Sequence, residues 1–191
     1  VAGDVDIIIG TQIIAKGLHL PKLNLVCIPF AETGITMPDF SSEEKSYQLL
    51  RQVIGRVGRT HNKSKIIIQS FSQDNLIIKS IVKNNWDTFV KNQLAQRKKY
   101  RLPPYYYLLQ LTIRRKTNKN AQDNAENLKK NLKIKYPNTI ILGPSPRFHN
   151  KINGTYNWQL IIKSKSRNQL LTMIDSIPSG WQYNIDPVNL L

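Results

Sequence analysis

Cysteine is nearly absent from this chain: Cys27 stands alone among 191 residues. With no second thiol, no internal disulfide forms and no zinc site of the CxxC kind can be built. One unpaired thiol suits a reducing cytoplasm. Cys27 lies within Leu25-Val26-Cys27-Ile28, where a small buried apolar residue is expected. No apolar run approaches the ~20 residues of a membrane span, so no membrane partner is expected. The start, Val1-Ala2-Gly3-Asp4, lacks the basic n-region of a secretory signal. It is not Met, and strand-like sequence begins at Val5, so the natural start is expected upstream. Also absent are a GxxxxGK[ST] loop to cradle phosphates and an Asp-Glu-x-His run to hold magnesium. ATP hydrolysis by this chain alone is therefore not expected.

Acidic side chains are scarce as well. Twelve Asp and Glu stand against 28 Lys and Arg, a formal net charge of +16. A Lys- and Asn-rich chain can reflect genome composition, but such an excess creates a positive field whose usual polyanion is nucleic acid. Hydrophobic residues make up 40%, enough for a core, and the length allows one large or two small domains.

Two rhythms divide what is present. Val5 to Ile9, Leu23 to Phe30 and Ile66 to Gln69 are apolar runs without clean alternation, the pattern of strands buried on both faces of a parallel sheet. Between the last two, Tyr47, Leu50, Val53, Ile54 and Val57 recur at helical spacing, predicting a helix over Ser42 to Arg59. Another helix is predicted from Leu76 to Tyr100, with Trp86, Phe89, Val90 and Leu94 as its stripe. Leu102-Pro103-Pro104 breaks it, and the division is placed there: 1–100 and 101–191. Beyond it come a strand (Tyr105 to Ile113), a helix marked by Ala121, Ala125, Leu128 and Leu132, and a short strand (Thr139 to Leu142) closed by Gly143-Pro144-Ser145-Pro146. A turn at Asn153-Gly154, a strand (Trp158 to Lys163), a helix marked by Leu170, Leu171, Ile174 and Ile177, and a strand (Trp181 to Ile185) follow. The order β-α-β-β-α-β is a split-βαβ, ferredoxin-like pattern. The first part is α/β and the second α+β.

Two segments carry chemistry. Gln52-Val53-Ile54-Gly55-Arg56-Val57-Gly58-Arg59 fits QxxGRxGR. A spacing of three puts the guanidiniums of Arg56 and Arg59 on one side of a helix end, and arginine is always charged and shaped for bidentate phosphate contacts. A plain solvated helix end would contain two such arginines as well. The other segment, Gly10-Thr11-Gln12-Ile13-Ile14-Ala15-Lys16-Gly17, follows a predicted parallel strand, where open α/β sheets bind ligands. Thr11, Gln12 and Lys16 offer a hydroxyl, an amide and a charge to a phosphate chain, and Gly17 allows close backbone approach. Lys163, Lys165 and Arg167 cluster where a strand meets a helix, and Tyr105, Tyr106, Tyr107 and Trp158 are either core or base-stacking rings.

Gly10 to Gly17 resembles motif V of superfamily 2 helicases and Gln52 to Arg59 resembles motif VI. Phe30-Ala31-Glu32-Thr33-Gly34, Pro38-Asp39-Phe40 and Glu43 to Leu50 narrow the resemblance to the PriA family. Leu94-Ala95-Gln96-Arg97, Leu102-Pro103-Pro104-Tyr105, Leu142 to Pro146, Tyr156 to Leu160 and Ile185-Asp186-Pro187 extend it in order to the end. The chain departs from the family pattern at Phe30, where an acidic residue is usual. It departs also at Glu32, where Asp is usual, at Lys45 for Arg, and at Ile54 and Val57 for Ala.

The resemblance implies a RecA-like second helicase lobe with a mostly parallel sheet, then a split-βαβ C-terminal DNA-binding domain. It implies part of an ATP-dependent 3′ to 5′ DNA helicase that restarts replication at stalled or branched forks by primosome assembly. Arg59 is implied as the arginine finger, with Arg56 and Gln52 sensing the γ-phosphate. Thr11, Gln12 and Lys16 would meet the DNA backbone, and Lys163 and Arg167 a fork. ATP and Mg2+ would bind through another lobe, and zinc elsewhere in the full-length protein, with no metal in this chain. Implied partners are forked and single-stranded DNA, the single-stranded DNA-binding protein and other primosome proteins, with the chain a monomer. A non-catalytic nucleic-acid-binding protein retaining the lobe fold remains the alternative.

Overall fold

The computed structural model describes residues 5–11, 23–55, 57, 64–72 and 74–191. The chain splits into two units, Val1–Gln93 and Leu94–Leu191. In the first, β1 (Leu25–Ile28) and β2 (Lys65–Ile68) pair in parallel, Leu25 opposite Lys65 through Ile28 opposite Ile68. Their crossover contains α1 (Ser42–Ile54), with Glu43 and Glu44 in its first turn, where carboxylates complement the helix dipole. Then come α2 (Leu76–Val82) and α3 (Trp86–Lys99). The core of this unit is Tyr47, Leu50, Ile77, Ile81 and Phe89. Tyr47 stacks on Phe89 with ring centroids 4.1 Å apart.

Three sequence expectations are corrected here. Val5 to Ile9 forms no strand and lies exposed, Ile9 at 92%, because among the described residues no neighbouring strand pairs with it. Nor are β1 and β2 buried on both faces: Ile67 is 54% exposed and Cys27 is exposed. The single helix expected over Leu76 to Tyr100 is two. Asn84 takes a left-handed φ of 53°, which stops α2. The side chains of Asn75 and Asn85 then cap the two starts, accepting from Ile77 N at 2.9 Å and Thr88 N at 3.0 Å.

The second unit holds β3 (Tyr107–Arg115), α4 (Asn118–Lys135), β4 (Ile140–Ile152), β5 (Thr155–Ser164), α5 (Arg167–Ile174) and β6 (Trp181–Ile185). The four strands form one antiparallel sheet in the order β4-β5-β3-β6, the topology of a split-βαβ unit. Thr117 caps α4 through Asn120 N at 3.2 Å. The expected stripe, Ala121, Ala125, Leu128 and Leu132, is buried. One face of the sheet meets the helices through Leu109, Leu111, Leu160 and Ile162, packed with Leu128, Leu132, Leu170 and Met173.

Gly143-Pro144-Ser145-Pro146, expected to close a short strand, instead lies inside β4, where the pairing register shifts after Leu142. Gly143 has φ +91°, and a Cβ there would sit 2.8 Å from the Gln159 carbonyl oxygen, so only glycine passes. The hairpin to β5 turns at Asn153 (φ 48°) and Gly154 (φ 74°), both left-handed as a two-residue turn of this type requires.

Leu170 is fully buried whereas its neighbour Leu171 is 40% exposed. Leu170→Ala is expected to cost about 2–5 kcal/mol, and Leu171→Ala roughly 0.5 kcal/mol or less, in urea denaturation of the chain. Equal losses would contradict the placement of α5.

Candidate functional site

The C-terminal ends of parallel strands are where α/β sheets receive ligands. In the first unit Phe30 follows β1 and Phe71 follows β2. These rings are 61% and 82% exposed, with centroids 6.4 Å apart. Glu32 ties the two loops together: its Oε1 accepts from the Ser70 hydroxyl, from Phe71 N at 2.9 Å and from Ser72 N at 3.3 Å. The Ser70 hydrogen bond is the largest cause holding this carboxyl below its ordinary range, and the backbone N–H groups add to it. A lone Glu after an apolar run gave no sign of this clamp, since its partners lie 38–40 residues away. Beside it, between the end of β2 and α2, a groove of about 400 Å³ is lined by Ser70, Lys79 and Lys83 among others. Lys79 is paired there with Asp74 at 2.7 Å.

The two chemistry-bearing segments are only partly described. Thr11 is exposed, while Gln12 and Lys16 lie outside the described residues. Gln52 is exposed on the last turn of α1, which Gly55 closes by donating its N–H back to Arg51 O at 2.9 Å. Arg56 and Arg59 follow outside the described residues.

In the second unit Lys163 and Arg167 do not form one surface. Lys163 is only 9% exposed and donates from Nζ to the Tyr100 carbonyl at 2.8 Å. Expected as an outward strand-end charge, it is corrected to an inward one, because its β5 position lies between Leu108 and Ile140 on the neighbouring strands. Arg167 stands at the start of α5 and pairs through Nε with Asp186 at 2.8 Å. The Lys165 ammonium lies 5.9 Å from the centre of the Tyr106 ring. Trp158 is core, 8% exposed, with its indole N–H donating to Asn118 Oδ1 at 2.8 Å. Tyr105 and Tyr107 are 40% and 42% exposed.

Comparison with known proteins covers both units. Residues 1–61 match the family described as Helicase conserved C-terminal domain, and residues 98–188 the one described as Primosomal protein N C-terminal domain. The chain is 35% identical over 190 residues to the replication restart protein PriA of Bacillus subtilis, covering 99% of this chain and 24% of that protein. Against the PriA of Treponema pallidum identity is 32%, over 100% of this chain and 30% of the relative. For Thermotoga maritima it is 31%, over 92% and 23%. The chain thus spans about a quarter of the length of the curated relatives it matches.

Burial, and secondarily the Arg101 charge, pushes the Lys163 ammonium below its ordinary value of 10.5. The unfolded chain then binds the extra proton between the lowered value and 10.5, so stability rises with pH across that window, and the cost of the buried charge is fully present below it. The parent chain is expected to gain stability relative to Lys163→Met as pH is raised towards 10.5, in paired denaturant melts. A difference that is constant with pH would contradict the burial.

Proposed function

The chain belongs to the PriA family of replication restart proteins, carrying a helicase C-terminal domain followed by a primosomal C-terminal domain, and on that premise we propose that it works as the C-terminal part of an ATP-dependent DNA helicase. That helicase would act 3′ to 5′ on stalled or branched forks and restart replication by primosome assembly. The observation that carries the reading is ordered likeness along the whole chain, 99% of it against one relative, rather than any single motif. Residues 1–100 then serve in the second motor lobe and 101–191 in DNA binding.

Phosphoryl transfer leaves a protein little covalent chemistry; placed charge does most of the catalysis. Arg59 is proposed as the arginine finger towards the γ-phosphate, with Arg56 and Gln52 coupling that phosphate to lobe closure. The exposure of Gln52 at the end of α1 supports its share. Thr11, Gln12 and Lys16 are proposed to meet the DNA backbone and Arg167 a fork. Lys163 drops out, being buried and hydrogen-bonded. Among the described residues no three His, Cys, Asp or Glu lie together to hold an ion. Zinc is proposed to bind elsewhere in the full-length protein, and ATP with its Mg2+ at another lobe of it. The proposed partners are forked and single-stranded DNA, the single-stranded DNA-binding protein and other primosome proteins, with the protein a cytoplasmic monomer. Among the described residues no helix is long and apolar enough to cross a membrane.

Two measurements test this. In a protein that carries this chain behind an ATP-binding lobe, Arg59→Ala is expected to lower DNA-stimulated kcat by about 10³ or more while ATP still binds. Near-normal turnover removes Arg59 from the role. The chain itself is expected to bind DNA with log affinity falling linearly against log salt, by about 0.7 per phosphate contact on a single strand. Absence of binding at low salt overturns the DNA-binding part.

A further inference from the structure

The 48 residues from Asn127 to Ile174 contain nine Lys and Arg and no Asp or Glu. Several of these cations are engaged within the fold: Lys129 donates to the Gly143 carbonyl, Lys133 to that of Thr139 at 2.7 Å, and Lys163 to that of Tyr100 at 2.8 Å. Strand β4, at the edge of the sheet, has a different arrangement. It pairs with β5 as Ser145 with Gln159 and Pro146 with Trp158, and again as Lys151 with Tyr156 and Ile152 with Thr155. Between those pairs, Arg147 to Asn150 on β4 stand opposite Asn157 alone on β5. Such a bulge re-aims side chains out of the pleat.

This bulge is held from the inside. Asn157 is 1% exposed, and its Nδ2 donates to the carbonyls of His149 at 3.4 Å and Asn150 at 3.2 Å. Its Oδ1 and that of Asn150 are buried without a hydrogen-bond partner among the described residues.

What the bulge presents is an aromatic pair and a cation. Phe148 is 51% exposed and meets His149 edge to face, ring centroids 5.1 Å apart at 78°. That contact leaves the remaining ring surface of Phe148 open. Lys151 is exposed, its ammonium 5.4 Å from the centre of the Tyr156 ring. Arg147 is held instead by the Leu191 carbonyl. Blunting an edge strand requires only charge and irregularity; an exposed phenylalanine works against it. We infer that the Arg147–Lys151 bulge is a stacking site for an unpaired base of single-stranded DNA, with Lys151 on a flanking phosphate. Stacking on a ring is sequence-tolerant because every base has a π face, and the acid-free stretch of chain that carries the bulge favours the phosphate backbone. The inference rests on the DNA-binding reading above and gives it a location.

The test uses the full chain, a fluorescein-labelled oligodeoxythymidine and a blunt duplex of equal phosphate count, read by anisotropy. Phe148→Ala is expected to weaken single-strand binding about 5- to 100-fold, with duplex binding and thermal midpoint little changed, and Phe148→Trp to restore it. Lys151→Ala should reduce the log-log salt slope by about one phosphate contact. If the parent binds and Phe148→Ala binds the single strand equally well, or loses the duplex to the same extent, the bulge is not a stacking site. If the parent binds neither DNA, the DNA-binding reading itself falls and the bulge with it.

Discussion

From Leu109 to Ile113 the strand β3 is paired on both sides, to β5 and to β6, and both its faces are closed: Leu108 to Ile113 are all between 0% and 6% exposed. Everything else in the C-terminal unit follows from covering that strand. The helices α4 and α5 cover one face through Leu128, Leu132, Leu170 and Met173. On the other face Gln110 is satisfied by Gln159 at 2.8 Å and the Leu190 carbonyl at 3.4 Å. The polar face of a central strand therefore demands its own hydrogen bonds, because an unpaired buried amide is costly. Among the described residues no strand pairs with the outer edges of β4 and β6, and the bulged edge is where the exposed Phe148 appears.

Charge is distributed less simply than +16 suggests. Lys129, Lys133 and Lys163 each donate to a backbone carbonyl. Long cationic side chains serve here as fasteners between segments of the fold. Net charge therefore overstates the number of cations that a polyanion could contact.

The apolar rhythms of the C-terminal half made its six elements readable, because each helix or strand buries one periodic face within a complete sheet. The N-terminal half was less legible. Its apolar runs announce a parallel sheet buried on both faces, yet only β1 and β2 pair among the described residues, and Ile7, Ile9 and Ile67 remain exposed. Period alone also could not separate α2 from α3, since the break depends on a left-handed Asn84 and two Asn caps rather than on proline or glycine.

Gln52, Arg56 and Arg59 stand out as a motif because they are close neighbours in sequence. The Glu32 clamp and the Asn157-held bulge were invisible, since each joins residues brought together only by strand pairing. Lys163 was read as outward from its place at a strand end, but Leu160 to Ser164 at the end of β5 are all buried, on both faces of the strand. The sequence by itself determined element type, the order of the split-βαβ unit and the cationic character of the chain, because propensity, periodicity and charge are local quantities. Only the tertiary structure decided which lysines face solvent, where the edge strand bulges and which aromatic rings stay open, because burial and register arise from contacts between distant segments.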